Sequence, residues 1–392
     1  MRTPIDRPAA RALAVEPFHA MRVLARAKEL EAQGRDIVHM EVGEPDFPTP
    51  APIVEAGRQA LASGLTRYTP AAGLPRLREA IAQYYLDRFA VPLSPSRVLV
   101  TPGASGALTL VLAGLLDPGD EVLLADPGYP CYRHQVTLLG GRPRLVALRP
   151  ESGFKLTAEG AAEAWSPRVR AVVVASPANP TGAVLDPDEL IELYDLTRAR
   201  GAALVVDEIY QGLVYETADH TALAAGSEGL FVVNSFSKYF GMTGWRLGWT
   251  VCPADTGQVL DRIAQNLYLA PSTVAQYAAL AAFGAETMAI LEARRSQYRE
   301  RRDFLLEALA RVGFGIAARP RGAFYVYAGV EAFGVSSTSL ATDLLEHAGV
   351  AVTPGRDFGV IDAEHYLRFA YTIGPGGLGE GTRRIAAWLQ AG

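Results

Sequence analysis

Short, almost continuous apolar runs alternate with amphipathic stretches through the middle of this 392-residue chain. Runs at Glu121–Ala125, Arg144–Leu148, Ala171–Ala175, Ala203–Val206 and Leu230–Val233 read as buried strands. Another begins SRVLVTPGASGALTLVLAGLL, Ser96–Leu116, and passes through Gly103-Ala104-Ser105-Gly106 into a helix. Strands without a polar face, separated by helical patterns, imply a mostly parallel sheet covered by helices on both faces. Upstream, residues 16–33 predict an amphipathic helix with Phe18, Met21, Leu24, Ala25 and Leu30 on one side, stopped by Gly34 and followed by a short strand at Ile37–Glu41. From Ser272 the pattern becomes mainly helical, and Glu286–Val312 is long enough to bridge two domains. Short strands at Ala323–Tyr327 and Tyr366–Tyr371 then mix with helices at Ser339–Ala348 and Gly377–Gln390. The predicted architecture is α/β. A large domain spans 46–290 and a smaller α+β domain spans 291–392, with an N-terminal arm and helix over 1–45 expected to pack with the smaller domain.

In such sheets ligands bind beyond the carboxyl ends of the strands. Five suspicious segments fall there: the glycine turn, Tyr129 in DPGYPCY, SPANPTG (Ser176–Gly182), DEIY (Asp207–Tyr210) and Lys238. Lys238 lies in LFVVNSFSKYFGMTGWRLGWT, Leu230–Thr250, where a short apolar run and a serine elbow precede it and glycines follow. That frame suits an amine presented in a pocket. The glycine turn at a helix start could cradle phosphate on free N–H groups, and tight strand–helix packing explains it equally well. Gly43, in the proline-broken loop VGEPDFPTP (Val42–Pro50), could offer its backbone to a ligand or simply turn at the surface. Arg368 is a charge inside the apolar strand YLRFAY, so it needs an anion: either a ligand or a structural acid. Tyr132, Trp245, Phe324 and Tyr325 read as core or pocket wall, and Arg319 and Arg321 in ARPRGAF as either substrate-facing or merely solvated, solvation being the simpler reading.

Composition sharpens one of these readings. Of 37 Lys+Arg only three are lysine, namely Lys28, Lys155 and Lys238. In a chain that uses arginine for nearly every surface cation, a retained lysine in an apolar, glycine-rich setting points to amine chemistry that guanidinium cannot perform. A formal net charge of −5 argues against nucleic acid or anionic membrane as the main partner. Two cysteines, Cys131 and Cys252, make no disulfide framework and favour a reducing cytoplasm. The N-terminal stretch is too charged and proline-broken for a signal peptide, no apolar run has membrane-spanning length, and six scattered histidines show no metal-ligand spacing.

GEPDFPTP, YTPAAGLPRLREAIA, NPTG, DEIY and SFSKYFGMTGWRLGW follow one another along nearly the whole chain, with Arg246 eight residues after Lys238. In content, order and spacing they resemble the class I/II aminotransferases, pyridoxal-phosphate enzymes of the aspartate aminotransferase fold type. The resemblance implies that Lys238 joins the cofactor aldehyde as an imine and then shuttles the proton between substrate Cα and the cofactor. It implies that Asp207 pairs with the pyridine nitrogen, and that Tyr210 and Asn179 hydrogen-bond the phenolate oxygen. Arg246, Ser235 and Ser237, with the N–H groups of Ala104 and Ser105, would hold the phosphate, although Ser237 could instead cap the turn. Tyr129 would stack on the ring. Tyr68 would reach the phosphate in a neighbouring subunit, which implies a homodimer with shared sites. Arg368 would clamp the substrate carboxylate beside Gly43. The implied activity is transfer of an amino group between an L-amino acid and a 2-oxo acid, 2-oxoglutarate or pyruvate, by a ping-pong cycle. Leu267, Tyr268 and Leu269 in QNLYLAPS hint at a broad or apolar substrate pocket. A C–S β-lyase would need the same Lys238, Asp207 and Arg368, so it stands as the alternative.

Overall fold

The computed structural model describes residues 8–391, so the first seven residues of the charged N-terminal stretch lie outside it. Along the chain, β1 is Val38–His39, followed by β2 (Val98–Thr101), β3 (Glu121–Asp126), β4 (Arg142–Ala147) and β5 (Val169–Ala175). Next come β6 (Ala203–Asp207), β7 (Leu230–Ser235), β8 (Gly248–Val251) and β9 (Tyr325–Gly329). β10 (Val350–Ala351), β11 (Thr353–Pro354) and β12 (Tyr366–Ala370) complete the set. A seven-stranded sheet runs β2-β8-β7-β6-β5-β3-β4. Its neighbours pair in parallel from β4 through β7, whereas β8 is antiparallel to both β7 and β2. The sheet is therefore mostly parallel, and the reversed strand is the second apolar run after Arg246.

Alternation along these strands supplies two cores. Val98, Val100, Leu204, Val206 and Val232 join one hydrophobic cluster, while Leu99, Val205, Phe231 and Val233 join the other. Helices Pro75–Phe89 and Pro187–Ala199 seal the first face through Leu77, Ile81, Leu190 and Leu193. Helix Gly103–Leu115 seals the second through Leu108, Val111 and Leu112. Continuous apolar strands are thus the sequence record of burial on both faces.

The smaller domain carries an antiparallel sheet, β11-β12-β9, and a parallel pair, β1-β10. β1, near the N-terminus, pairs with β10, so the N-terminal segment packs with the C-terminal elements rather than with the large sheet. Helix His19–Ala32 packs there through Ala27 and Leu30 against Ile37, Leu345 and Ala351. Its buried side differs from the expected one: Ala20, Ala27 and Leu30 are buried, but Met21 is 51% exposed. The cause is a distant cap. Asp357 accepts hydrogen bonds from the backbone N–H groups of His19 (2.8 Å) and Ala20 (3.2 Å), which turns Ala20 inward and Met21 outward. β9 starts two residues later than its apolar run because Ala323 has φ 58, outside the extended region. The long helix is Ala285–Val312, ended by Gly313 at φ 104.

One glycine ties this fold to its site. A Cβ on Gly248 would lie 2.7 Å from the Asn234 carbonyl oxygen and 3.0 Å from the Ala104 nitrogen, so β8 and the start of helix Gly103–Leu115 touch backbone to backbone. Gly248→Ala is expected to destabilise the protein by about 1–3 kcal/mol through overpacking. Gly244→Ala, where a Cβ meets nothing within 4 Å, should stay within about 0.5 kcal/mol of wild type. Thermal unfolding of the two cofactor-free variants side by side checks both, and equal melting points would contradict the packing argument.

Candidate active site

The parallel strands β5, β6 and β7 end on one edge, at Ala175, Asp207 and Ser235. A cavity of about 230 Å³ opens there, closed from the small-domain side by Gly43, Tyr325 and Arg368. Gly43, Ala104, Ser105, Tyr129, Asn179, Asp207, Tyr210, Lys238 and Arg368, all singled out in the sequence, line it together. Ser235 and Ser237 are buried outside the lining, and Arg246 sits at the start of helix Gly103–Leu115. Tyr68 is 83% exposed and borders a separate surface hollow with Gln265 and Leu269. Within one chain, QNLYLAPS therefore does not line the cavity: Gln265–Leu267 finish helix Gly257–Leu267, and Leu267 and Leu269 face solvent. Leu267 and Leu269 lie on the surface, the latter beside Tyr68, while Tyr268 packs against the second core cluster.

Lys238 follows the serine elbow at the end of β7. Its ammonium nitrogen donates to the Gly43 carbonyl at 2.6 Å, across 195 residues of sequence. No acidic side chain pairs with it among the described residues. Burial pushes its pKa from the ordinary 10.5 down to about 8; nearby Glu44 opposes this, and Arg368 and Arg246 reinforce it. A lysine so placed holds a substantial neutral fraction near neutral pH, as a nucleophile or base requires.

Asp207, at the end of β6, is 2% exposed. Its carboxylate accepts from the Ile209 backbone N–H (3.0 Å) and the Tyr132 hydroxyl (2.6 Å). Burial pushes its pKa up to about 6 against those two bonds. Tyr132 is thus more than pocket wall. Its signal is positional, three residues after Tyr129 at the start of helix Cys131–Leu138, a spacing that puts both rings on one side.

Helix Gly103–Leu115 carries no side-chain cap, so its first N–H groups are open at the cavity beside Ala104 and Ser105. A Cβ on Gly103 would lie 2.9 Å from Arg246 Nη2, so glycine lets the guanidinium lie against the helix start. Arg246 is itself left-handed, at φ 55, with Nη1 donating to the Thr243 carbonyl at 3.0 Å. Ser235 and Ser237 bond to each other at 2.9 Å. This corner is built for an anion.

Arg368 is 2% exposed, and no acidic side chain pairs with it among the described residues. Nη1 donates to Asn179 Oδ1 at 3.0 Å, Nη2 donates to the Glu41 carbonyl, and Nε is buried without a partner. Its guanidinium lies between the rings of Tyr325 (4.4 Å) and Phe358 (4.6 Å). The structural-acid reading is excluded, since Asn179, carbonyls and rings leave the charge uncompensated. Tyr325 is the second missed residue. Its hydroxyl bonds that of Tyr210 at 2.8 Å, and only its place beside Phe324 at the head of β9 distinguished it. Arg321 pairs with Asp186, and Arg319 with Glu216 and Asp303, away from the cavity.

The profile of class I and II aminotransferases matches residues 35–385. The chain belongs to that family. It is 39% identical over 387 residues to a valine–pyruvate aminotransferase of Mycobacterium tuberculosis, covering 98% of this chain and 99% of the relative. It is 38% identical to a probable aspartate/prephenate aminotransferase of Aquifex aeolicus, covering 97% and 98%. Among solved structures, the aspartate aminotransferase of Thermus thermophilus with maleate superposes with a TM-score of 0.93 at 38% identity, over 98% of this chain and all of that one.

This aminotransferase works with pyridoxal phosphate, and its residues fit that group. The cavity has an anion corner at the helix start and an uncompensated buried carboxyl at Asp207. It also has an amine of lowered pKa at Lys238 and an aromatic wall at Tyr129. In the cofactor-free protein the neutral fraction of Lys238 grows as pH rises. Reductive labelling of Lys238 by a small aldehyde should therefore rise through a midpoint of about 8, well below the ordinary 10.5. Peptide mass spectrometry across pH measures it, and a midpoint near 10.5 would contradict the burial argument.

Proposed function

We propose that the protein exchanges amino groups between an L-amino acid with an apolar or broadly varied side chain and a 2-oxo acid, 2-oxoglutarate or pyruvate, as a cytoplasmic homodimer. The observation that carries this reading is the buried guanidinium of Arg368, without an acidic partner, sharing a cavity with the Lys238 amine. An amino acid brings the missing carboxylate and places its Cα between the two. Among the cavity-lining residues only Lys238 and Arg368 are cationic, while Phe18, Met21, Leu108, Tyr129 and Ile209 are apolar or aromatic. Among the described residues of this chain, a second substrate carboxylate finds no further cation in the lining.

Bound pyridoxal phosphate supplies the electron sink that makes the substrate Cα–H acidic enough to ionise. The chain's residues do the rest. Arg368 holds the α-carboxylate through charge-assisted bonds, with Asn179 and the Gly43 backbone beside it. Nζ of Lys238 takes the Cα proton and carries it across the cavity, which its lowered pKa permits. Asp207, held by Tyr132, keeps a negative charge where the ring nitrogen requires a counterion. Arg246, Ser235, Ser237 and the N–H groups of Ala104 and Ser105 would anchor the phosphate, and Tyr210 with Asn179 would hydrogen-bond the ring oxygen. Tyr129 supplies the stacking wall. The exposed hydroxyphenyl of Tyr68, beside Leu269, supports its reaching into a partner subunit's site. The separate sheets support a division into an arm over 1–45, a large domain over 46–290 and a small domain over 291–392.

Three measurements test this. A single-turnover screen of amino acids, followed by the cofactor's change of absorbance, should show apolar side chains reacting readily; turnover confined to aspartate and glutamate overturns the side-chain class. Lys238→Ala should keep the fold and lose transamination. Arg368→Ala should raise KM by roughly ten- to a hundred-fold, the loss of a charged hydrogen-bond pair of about 1.5–3 kcal/mol. Unchanged KM would remove Arg368 from the carboxylate site.

A further inference from the structure

Tyr210 and Tyr325 place their hydroxyls 2.8 Å apart, at 4% and 1% exposure, and the Tyr325 hydroxyl has no other partner among the described residues. Gly43 shapes this contact: a Cβ there would lie 1.7 Å from the Tyr325 oxygen, so only glycine admits the ring in this orientation. The Gly43 carbonyl is the same group that receives Lys238 Nζ, at 2.6 Å. Tyr325 therefore sits at the meeting point of the amine, the Tyr210 hydroxyl and the substrate guanidinium, over whose charge its ring lies at 4.4 Å.

A hydroxyl has one proton, and one contact between two hydroxyls can hold only one of the two. If Tyr210 spends its proton on the cofactor's ring oxygen, the proton between Tyr210 and Tyr325 must come from Tyr325. We propose that Tyr325 is a positioning residue acting through Tyr210: its O–H donates to the Tyr210 oxygen, fixes the Tyr210 proton toward the ring oxygen and strengthens that bond. This inference rests on the reading that Tyr210 faces the ring oxygen. Both phenols are suited to donate, since burial raises their pKa values and keeps them protonated. The charged and titratable groups facing the pair are Arg368, Lys238, Tyr129 and Tyr132. The Arg368 cation over the Tyr325 ring makes that O–H the more acidic and hence the better donor. Chains of donors polarise one another, so the outer hydroxyl acts on the ring oxygen without touching it.

The sign follows from electrostatics. Donors to the ring oxygen stabilise its negative charge and weaken its hold on the proton carried by the Lys238 nitrogen in the holoenzyme. Removing a donor therefore raises the pH midpoint at which the bound cofactor changes colour. That midpoint, recorded by absorbance without substrate, is the test for Tyr325→Phe, Tyr210→Phe and the double variant. Tyr210→Phe should raise it, and Tyr325→Phe should raise it by about 0.5–1 pH unit, one neutral hydrogen bond's worth. In the Tyr210→Phe background, Tyr325→Phe should add nothing. Tyr325→Phe should also leave the KM for the amino acid within about twofold of wild type, because the ring over Arg368 remains. An unmoved midpoint in Tyr325→Phe, or an additive shift in the double variant, overturns the relay while leaving Tyr210 at the ring oxygen. An unmoved midpoint in Tyr210→Phe overturns the underlying reading as well.

Discussion

Burial without countercharge is the constraint on which this structure turns. Lys238, Asp207 and Arg368 are taken out of water at one sheet edge, and none has an oppositely charged side chain as partner among the described residues. Isolated buried charges are costly, and a protein usually neutralises them in pairs. Here the pairs are kept apart. The carboxyl is pushed up to about 6 and the amine down to about 8, so each is poised to respond when a ligand brings the missing charge. In the proposed reading, pyridoxal phosphate and an amino acid together would bring a cation for Asp207, a carbonyl for Lys238 and a carboxylate for Arg368.

The scaffold holds these groups apart with backbone rather than with side chains. Strands β6 and β7 place Asp207 and the Lys238 elbow beside one another, and β12 carries Arg368 in from the small domain. The Gly43 and Glu41 carbonyls receive Lys238 and Arg368 respectively, so one N-terminal segment neutralises part of both cations. Glycine is required at Gly248, where β8 meets the helix start backbone to backbone, and at Gly43, where the Tyr325 ring lies against the chain; a methyl group at either would separate parts of the site.

Family membership locates these residues in a known chemistry, yet the relatives differ in what they transfer. The valine–pyruvate and aspartate/prephenate enzymes are similarly close to this chain, at 39% and 38% identity. Resemblance of that kind does not choose among side chains. The choice rests on the cavity wall, where Phe18 lies edge-on to Tyr129 with ring centroids 6.3 Å apart. Phe18 owes its place to Asp357, which caps the helix that follows it.

Much of the molecule was legible from the chain alone. Apolar runs without a polar face specify a buried sheet, because burial is a property of each strand's own residues. Motif order and the scarcity of lysine singled out Lys238, Asp207 and Arg368, since amine, carboxyl and guanidinium chemistry is carried by residue type. What the sequence left undecided depends on contacts between distant segments. Hydrophobicity put Met21 on the helix's apolar side, but a cap from Asp357 leaves it half in solvent at the cavity, and within one chain Leu267 and Leu269 of QNLYLAPS face solvent, the latter beside Tyr68. Tyr132 and Tyr325, read as core or pocket wall, do line the cavity, but only the fold sets their hydroxyls against Asp207 and Tyr210, 75 and 115 residues away along the chain. Periodicity reads local structure and composition reads chemistry. Which polar atom meets which, across a hundred residues or more, is decided only when the tertiary fold brings them within hydrogen-bonding distance.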